Sequence, residues 1–499
     1  MNTKFKERLL IMASLTVILG NSPLLSEAQD TSGIYHEEYR PQVHFSPKAH
    51  WVNDPNGMVY FKGTYHLFFQ DYPKGTTWGP MHWGHAISKD LMHWKELPIA
   101  LYPDSLGYIF SGSAVIDSNN TSGFGKNGKI PLVAIFTHHD PQLEKAGKEN
   151  YQNESLAYSL DDGYTWTKYA GNPVLKNPGL RDFRDPKVMW YVKGKKWIMT
   201  LATKDHITFY SSPDLKNWKK ESEFGKDLGA HGGVWECPDL FPLKLNEKTY
   251  WVLIVNLNPG GPNGGSATQY FIGDFDGTTF SPNDGKTRWL DYGTDEYAGV
   301  TWNNTGNRRI FLGWMSNWQY ANQVPTKGWR NAMTIPRELT LFKEKDGLYV
   351  RSLPVKEINA IELKKPQDHR PELPKALPGQ YLIKLKTKRL ADYSIILSNS
   401  ANEKLIIGFD KVKDQYFIDR TKSGRTDFSG NFPSIAYAPR LSDVNNSEML
   451  LLVDRSSVEL FADDGRTVMT SIVFPAKPYN HIDLKLVKII QLIPLYGIW

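Results

Sequence analysis

The chain has 499 residues, 40% of them hydrophobic and 22% charged, with a formal net charge of +6; that is length for two or three domains and a composition that excludes disordered and fibrous classes. Its Lys and Arg are scattered rather than gathered into a stripe, which argues against nucleic acid as a partner, and one cysteine, Cys237, excludes an intrachain disulfide. The unusual feature is 16 Trp, 25 Tyr and 23 Phe, rings that suit pleated half-buried surfaces and also stack on sugars and bases.

In chain order, Lys4, Lys6 and Arg8, an apolar run from Leu9 to Leu19 and then Ser26-Glu27-Ala28 read as a secretory signal peptide over residues 1–28. The expected mature protein is exported, to a periplasm or the medium. No later stretch approaches 18 apolar residues, so no membrane span is expected. Short alternating runs follow, bounded by Gly, Asp, Asn and Pro: Met58 to Phe61, Tyr65 to Phe69, Leu132 to Phe136, Trp197 to Leu201, Tyr250 to Val255, Ile310 to Trp314. These predict strands. A weak repeat sits between them, Ser88-Lys-Asp90-Leu-Met-His-Trp94, Ser159-Leu-Asp161-Asp-Gly-Tyr-Thr-Trp166, Ser212-Pro-Asp214-Leu-Lys-Asn-Trp218 and, more loosely, Asp274-Phe-Asp276-Gly-Thr-Thr-Phe280. Units of that spacing, each holding a few strands and an Asx-type turn closed by an aromatic, predict an all-β, five-bladed β-propeller over residues 36–345.

After a Pro-rich connection marked by Lys364-Lys-Pro366 and Arg370-Pro-Glu-Leu-Pro374, alternating strands resume without the repeat. Seven or more short strands in about 140 residues predict a β-sandwich over residues 365–499.

Propellers gather ligands where their innermost strands converge, so a site should combine residues far apart in sequence. Three acids fit. Asp54 lies in Trp51-Val-Asn53-Asp54-Pro-Asn-Gly57, which is also a good turn sequence placed before the first propeller strand. Asp185 lies in Asp182-Phe-Arg184-Asp185-Pro186, where the following proline predicts an extended backbone. Glu236 lies between Trp235 and Cys237; shielding there, to which Cys237 would contribute, would raise its pKa and suit a general acid. One ionised and one protonated carboxyl are what glycoside cleavage needs. Gln70, Trp78, Trp83, Phe110, Ser111, Trp302, Trp314 and Trp318 add flat apolar faces and hydroxyl-binding groups typical of a sugar site.

Trp51-Val-Asn-Asp-Pro-Asn-Gly, the run from Trp78 to Leu91, Phe110-Ser-Gly-Ser, Phe183-Arg-Asp-Pro-Lys, Trp235-Glu-Cys-Pro-Asp and Ser316-Asn-Trp-Gln-Tyr-Ala occur in the order seen in glycoside hydrolase family 32, and Val453 to Phe461 resembles its C-terminal module. The resemblance implies a propeller followed by a sandwich, with no cofactor and no metal. It implies Asp54 as nucleophile, Glu236 as acid/base and Asp185 as stabiliser, with Trp51, Asn53, Gln70, Trp78, Phe110, Ser111, Arg184, Tyr297 and Trp318 binding substrate. The implied reaction is retaining hydrolysis of β-fructofuranosyl linkages, with a fructan polysaccharide or fructo-oligosaccharide as substrate. The Trp78-Gly-Pro-Met-His-Trp83 form is more like exo-acting fructanases than sucrose-restricted invertases. An endo-levanase, an invertase, an arabinan- or xylan-cleaving propeller, a silent fructan-binding propeller and a protein-interaction scaffold are the alternatives. His138 and His139, adjacent on a predicted strand, point to opposite faces and make a poor joint metal site.

Overall fold

The computed structural model describes residues 34–363, 377, 379–487 and 489–499. The expected signal peptide, residues 1–28, lies outside these, as does the Pro-rich stretch 364–376. The β-branched and aromatic runs form strands and the Gly/Asn/Asp clusters form the turns between them. Between His50 and Pro354 the chain makes five sheets, each built on four antiparallel strands. Their first strands are His50–Phe61, Tyr108–Ile116, Phe183–Tyr191, Val234–Leu245 and Tyr297–Thr301, and these touch in cyclic order, the fifth returning to the first. The sheets are therefore blades around one axis. A short strand from the fifth-blade region, Trp329–Arg330, pairs in parallel beside His50 and Trp51 and fastens the ring.

The repeated Asp turns occupy one place in four blades, the hairpin between third and fourth strands. Asp90 accepts from the backbone N–H groups of Met92 and His93, Asp214 from Lys216 and Asn217, and Asp276 from Thr278 and Thr279. The rings close two of the turns directly: the Trp166 indole donates to the Gly163 carbonyl and the Trp218 indole to that of Leu215, each at 2.9 Å. The fifth blade turns at Lys345-Asp346 without the motif.

A 3-10 segment, Lys356–Ile361, leads to two further five-stranded antiparallel sheets. Their facing sides bury Ile383, Ile395, Ile407, Leu451 and Leu460 in one core, the sandwich expected from the sequence. Another apolar cluster is continuous from Trp51, Val52 and Trp302 of the propeller to Leu382, Phe461 and Leu495 of the sandwich.

Charged groups are sealed into this junction. Arg337 donates to Asp291 at 2.8 Å and to Glu459 at 3.1 Å, all three side chains essentially unexposed. The buried His44 ring bridges Asp454 at 2.8 Å and Glu459 at 2.7 Å. Burial opposes a charge on His44, but the two carboxylates outweigh it and hold its pKa at about 9, up from 6.5. A raised histidine pKa stabilises the fold below about pH 6.5, and that contribution is lost as pH climbs through 9. The unfolding free energy should therefore fall across this window by on the order of 3 kcal/mol. His44→Gln should remove that slope, which urea denaturation at pH 6, 7.5 and 9 will measure.

Candidate functional site

Every innermost strand carries a β-bulge at the same level. Asn53 and Asp54 together face Gln70, Phe110 and Ser111 face Thr137, Asp185 and Pro186 face Leu201, Cys237 and Pro238 face Val255, and Ala298 and Gly299 face Gly313. An extra residue re-aims the side chains beside it. Here five bulges turn their neighbours toward the axis. The Asn-Asp-Pro-Asn-Gly segment is therefore not a turn ahead of the first strand: it lies inside His50–Phe61. Asp185 likewise departs from the extended backbone expected before proline, with φ +65°, and Cys237 and Ala298 at their own bulges have φ +43° and +54°. Aspartate tolerates this region better than most residues.

The bulges open on a pocket of ≈ 290 Å³ lined by Asp54, Asp185 and Glu236, carried by three different blades. Asn53, Gln70, Trp78, Phe110, Ser111, Arg184, Tyr297 and Trp318 line it as well. A larger cavity of ≈ 790 Å³ is bordered by Trp190, Trp251 and Arg309 and contains none of the three acids. Chemistry rather than size selects the smaller one.

Each acid is held differently. Ser111 donates to Asp54 Oδ2 at 2.6 Å and the Asn53 amide to Oδ1 at 2.8 Å. Asp185, 5% exposed, accepts from the Cys237 backbone N–H at 3.0 Å. Glu236, 21% exposed, accepts from Arg184 at 2.9 and 3.2 Å on one oxygen and from the Tyr297 hydroxyl on the other. Burial drives the Asp54 carboxyl above its usual range and the nearby Glu236 charge adds to this, while Ser111 and Asn53 pull it back. Burial also pushes Asp185 up to about 7, against the pull of Arg184. Burial works against a charged Arg184, but Glu236, Asp185 and Asp182 together keep it protonated. Burial and Glu236 hold the Tyr297 phenol far above its ordinary pKa, so it remains a donor.

Three sequence expectations need correction. Trp51 does not line the pocket: it is wholly buried behind it, donating its indole N–H to Asn53 at 2.7 Å and lying against Trp318. Trp83, Trp302 and Trp314 are also sealed in the core, since their inward positions fill the space between blades. Cys237 shields other acids than expected, its sulfur lying 3.5 Å from Asp54 and 3.6 Å from Asp185.

His139, Glu144, Tyr151, Gln152 and Asp182 complete the lining, and sequence reading gave none of them a place in the site. Glu144 rides on a one-turn helix, Pro141–Lys145, capped by Asp140, and reaches His139 at 3.0 Å; the His139 ring in turn stacks on Phe110. Asp140-Pro141 is an N-cap followed by a first-turn proline, the one local signal that marked this rim. His138 points away from the pocket to Ser155, so the two histidines do part as the strand period requires.

One pleat deeper the axis is filled. Asn56, Ser113, Lys187, Asp239 and Thr301, one from each innermost strand, are all buried. Lys187 pairs with Asp239 at 3.2 Å, and Asp239 accepts twice from Thr301 at 2.7 Å. The pocket is therefore blind. Because a carboxyl whose pKa is raised by folding destabilises the fold as pH rises through that pKa, Asp185→Asn should raise the unfolding temperature at pH 8 by several degrees and change it little at pH 4. Calorimetry at the two pH values checks this.

Residues 44–352 match the N-terminal domain of glycosyl hydrolases family 32, and residues 356–488 match the family's C-terminal domain. The chain is 47% identical to a levanase of Bacillus subtilis, across 99% of this chain and 76% of that protein. It is 42% identical to an extracellular exo-inulinase of Aspergillus niger, across 90% and 92% of the two chains. The crystal structure of an exo-inulinase from Aspergillus awamori superposes with a TM-score of 0.85 at 40% identity, covering 93% of this chain and all of that one. Matched along both its modules and over at least three quarters of each of these relatives, with three carboxyl groups meeting in the propeller, this chain belongs to glycosyl hydrolases family 32.

Proposed function

We propose that this chain is an exported, retaining β-fructofuranosidase that removes terminal fructose from levan or inulin-type fructans and also cleaves sucrose. The observation that carries the reading is the meeting of Asp54, Asp185 and Glu236 in one blind pocket beside a single guanidinium. Levanase and exo-inulinase are the activities named for the relatives above. An extracellular relative and the signal-like segment 1–28 both support export.

The hydrogen bonds support a division of roles among the three acids. Asp54 has a donor on each oxygen, which favours its carboxylate and fixes its aim, so it attacks the anomeric carbon. The Glu236 side chain is more solvent-reachable than that of Asp185, 21% against 5% exposed, and Tyr297 and Arg184 fix its orientation. It protonates the departing oxygen and then deprotonates the water that releases the fructosyl-enzyme. Asp185, held from below by the Cys237 N–H, binds fructose hydroxyls and offsets positive charge as it develops. Trp78, 40% exposed at the rim, and Trp318 offer apolar faces to the sugar ring.

A blind pocket admits a chain end rather than a chain interior, which favours exo action. Fructose as the sole early product from levan, inulin and sucrose is expected in a chromatographic time course; a ladder of oligomers would instead mark an endo enzyme. Asp54→Ala should leave a folded protein with fructose release down by at least 10⁴-fold, on the order of the loss when a nucleophile is removed. Ser111→Ala deletes a bond that lowers the Asp54 pKa, so the acid limb of the kcat/KM profile should move to higher pH; a limb that stays put would reject Asp54 as the group titrating there.

A further inference from the structure

The sandwich reaches the catalytic pocket through one buried arginine. Arg420 lies on the sandwich strand Gln415–Lys422 and is fully enclosed. Its guanidinium donates to Asp295 at 2.6 Å, to the Tyr320 hydroxyl at 2.8 Å and to the Phe432 carbonyl at 2.7 Å, with its plane over the Phe432 ring. Tyr320 donates in turn to the other oxygen of Asp295, while the oxygen facing Arg420 also accepts the Ile472 N–H at 3.0 Å. Asp295 is two residues before Tyr297, and Tyr320 is two residues after Trp318. Both pocket-lining segments thus end on the same cation. They are tied to each other as well, by the Asn317 amide donating to the Thr294 carbonyl at 2.7 Å.

The rest of the first segment is pressed onto the sandwich. Tyr292 and Asp295 donate backbone N–H groups to Val468 and Thr470, and a β-carbon on Gly293 would stand 2.0 Å from the Thr470 carbonyl oxygen. Tyr297 holds Glu236, and Trp318 forms a wall of the pocket. A one-ångström shift of either would be felt in the chemistry.

We propose that Arg420 is a positioning residue for the hydrolytic site: by binding Asp295 and Tyr320 together it sets the placement of Tyr297 and Trp318, which makes the sandwich a working part of the active site. This rests on the β-fructofuranosidase reading above. Arg420→Lys keeps the charge beside Asp295 but cannot serve three acceptors in one plane, and Tyr320→Phe removes only a hydroxyl. Both should reduce kcat/KM on sucrose at least tenfold, raise KM through Trp318 and displace the kcat–pH profile. Arg466→Lys, at a separate junction pair with Glu344 that touches neither segment, should leave all three parameters within twofold.

Hydrogen exchange gives a readout that needs no turnover. Peptides covering 294–300 and 316–320 should exchange at least fivefold faster in both variants, while those covering 50–56 keep the parent rate. Fructose release by the parent tests the reaction, and the variant-to-parent differences test the clamp. If Arg420→Lys fails to fold, Tyr320→Phe decides. Parent-like exchange in the two segments, or folded variants with unchanged kcat, KM and pH profile in an active enzyme, overturns the proposal.

Discussion

Three carboxyl groups in one largely enclosed pocket, with Arg184 as the cation among them, set the terms for the rest of the molecule. Unshielded, such a cluster would shed charge by taking up protons or would expand into water. Here Asp54 has two side-chain donors, Asp185 a backbone N–H, and Glu236 a guanidinium and a phenol. None of these partners is adjacent to all the acids in sequence, so the cluster exists only while the blades stand in register. The raised pKa of Asp185 records what remains uncompensated. Strain and poor solvation concentrate at functional sites in this way and are carried by the stability of the surrounding fold.

That fold is closed twice. The ring is closed where Trp329–Arg330 lies beside His50 and Trp51, and the junction with the sandwich is closed by apolar packing and by charges with no access to water. A buried ion pair adds little net stability over an apolar core, but it tolerates only one arrangement, because misplacing one partner strands the other. Arg337 and Arg420 apply that rule to opposite ends of the segment from Asp291 to Asp295. The two modules are thereby held as one object, and Tyr297 follows directly in the chain.

The aromatic excess divides unequally. Trp51, Trp83, Trp235, Trp302, Trp314 and Trp329 are fully buried and serve architecture, while Trp78 and Trp318 are the two Trp rings in the pocket lining. A propeller leaves wedge-shaped gaps between diverging sheets, and large flat rings fill them well. Composition alone therefore overstated how many rings reach the pocket.

The sequence by itself determined much of this: period-two runs specify strands, the Asp-turn repeat marks four blade hairpins, its disappearance marks the sandwich, and the ordered motifs hold all three acids. Those are local properties, written in spacing and residue type. It did not determine that Asn-Asp-Pro-Asn-Gly would sit in a strand, that Asp185 would take a positive φ, or that Trp51 would support Asn53 from behind. Nor did it show that Glu144 reaches the rim on a single helical turn, or that Arg420 lies beside Asp295 across 125 residues of chain. These depend on bulges in register around a closed ring and on two modules docking in one geometry. Long-range contacts of that kind are fixed by the simultaneous satisfaction of many buried groups, which no short stretch of sequence displays.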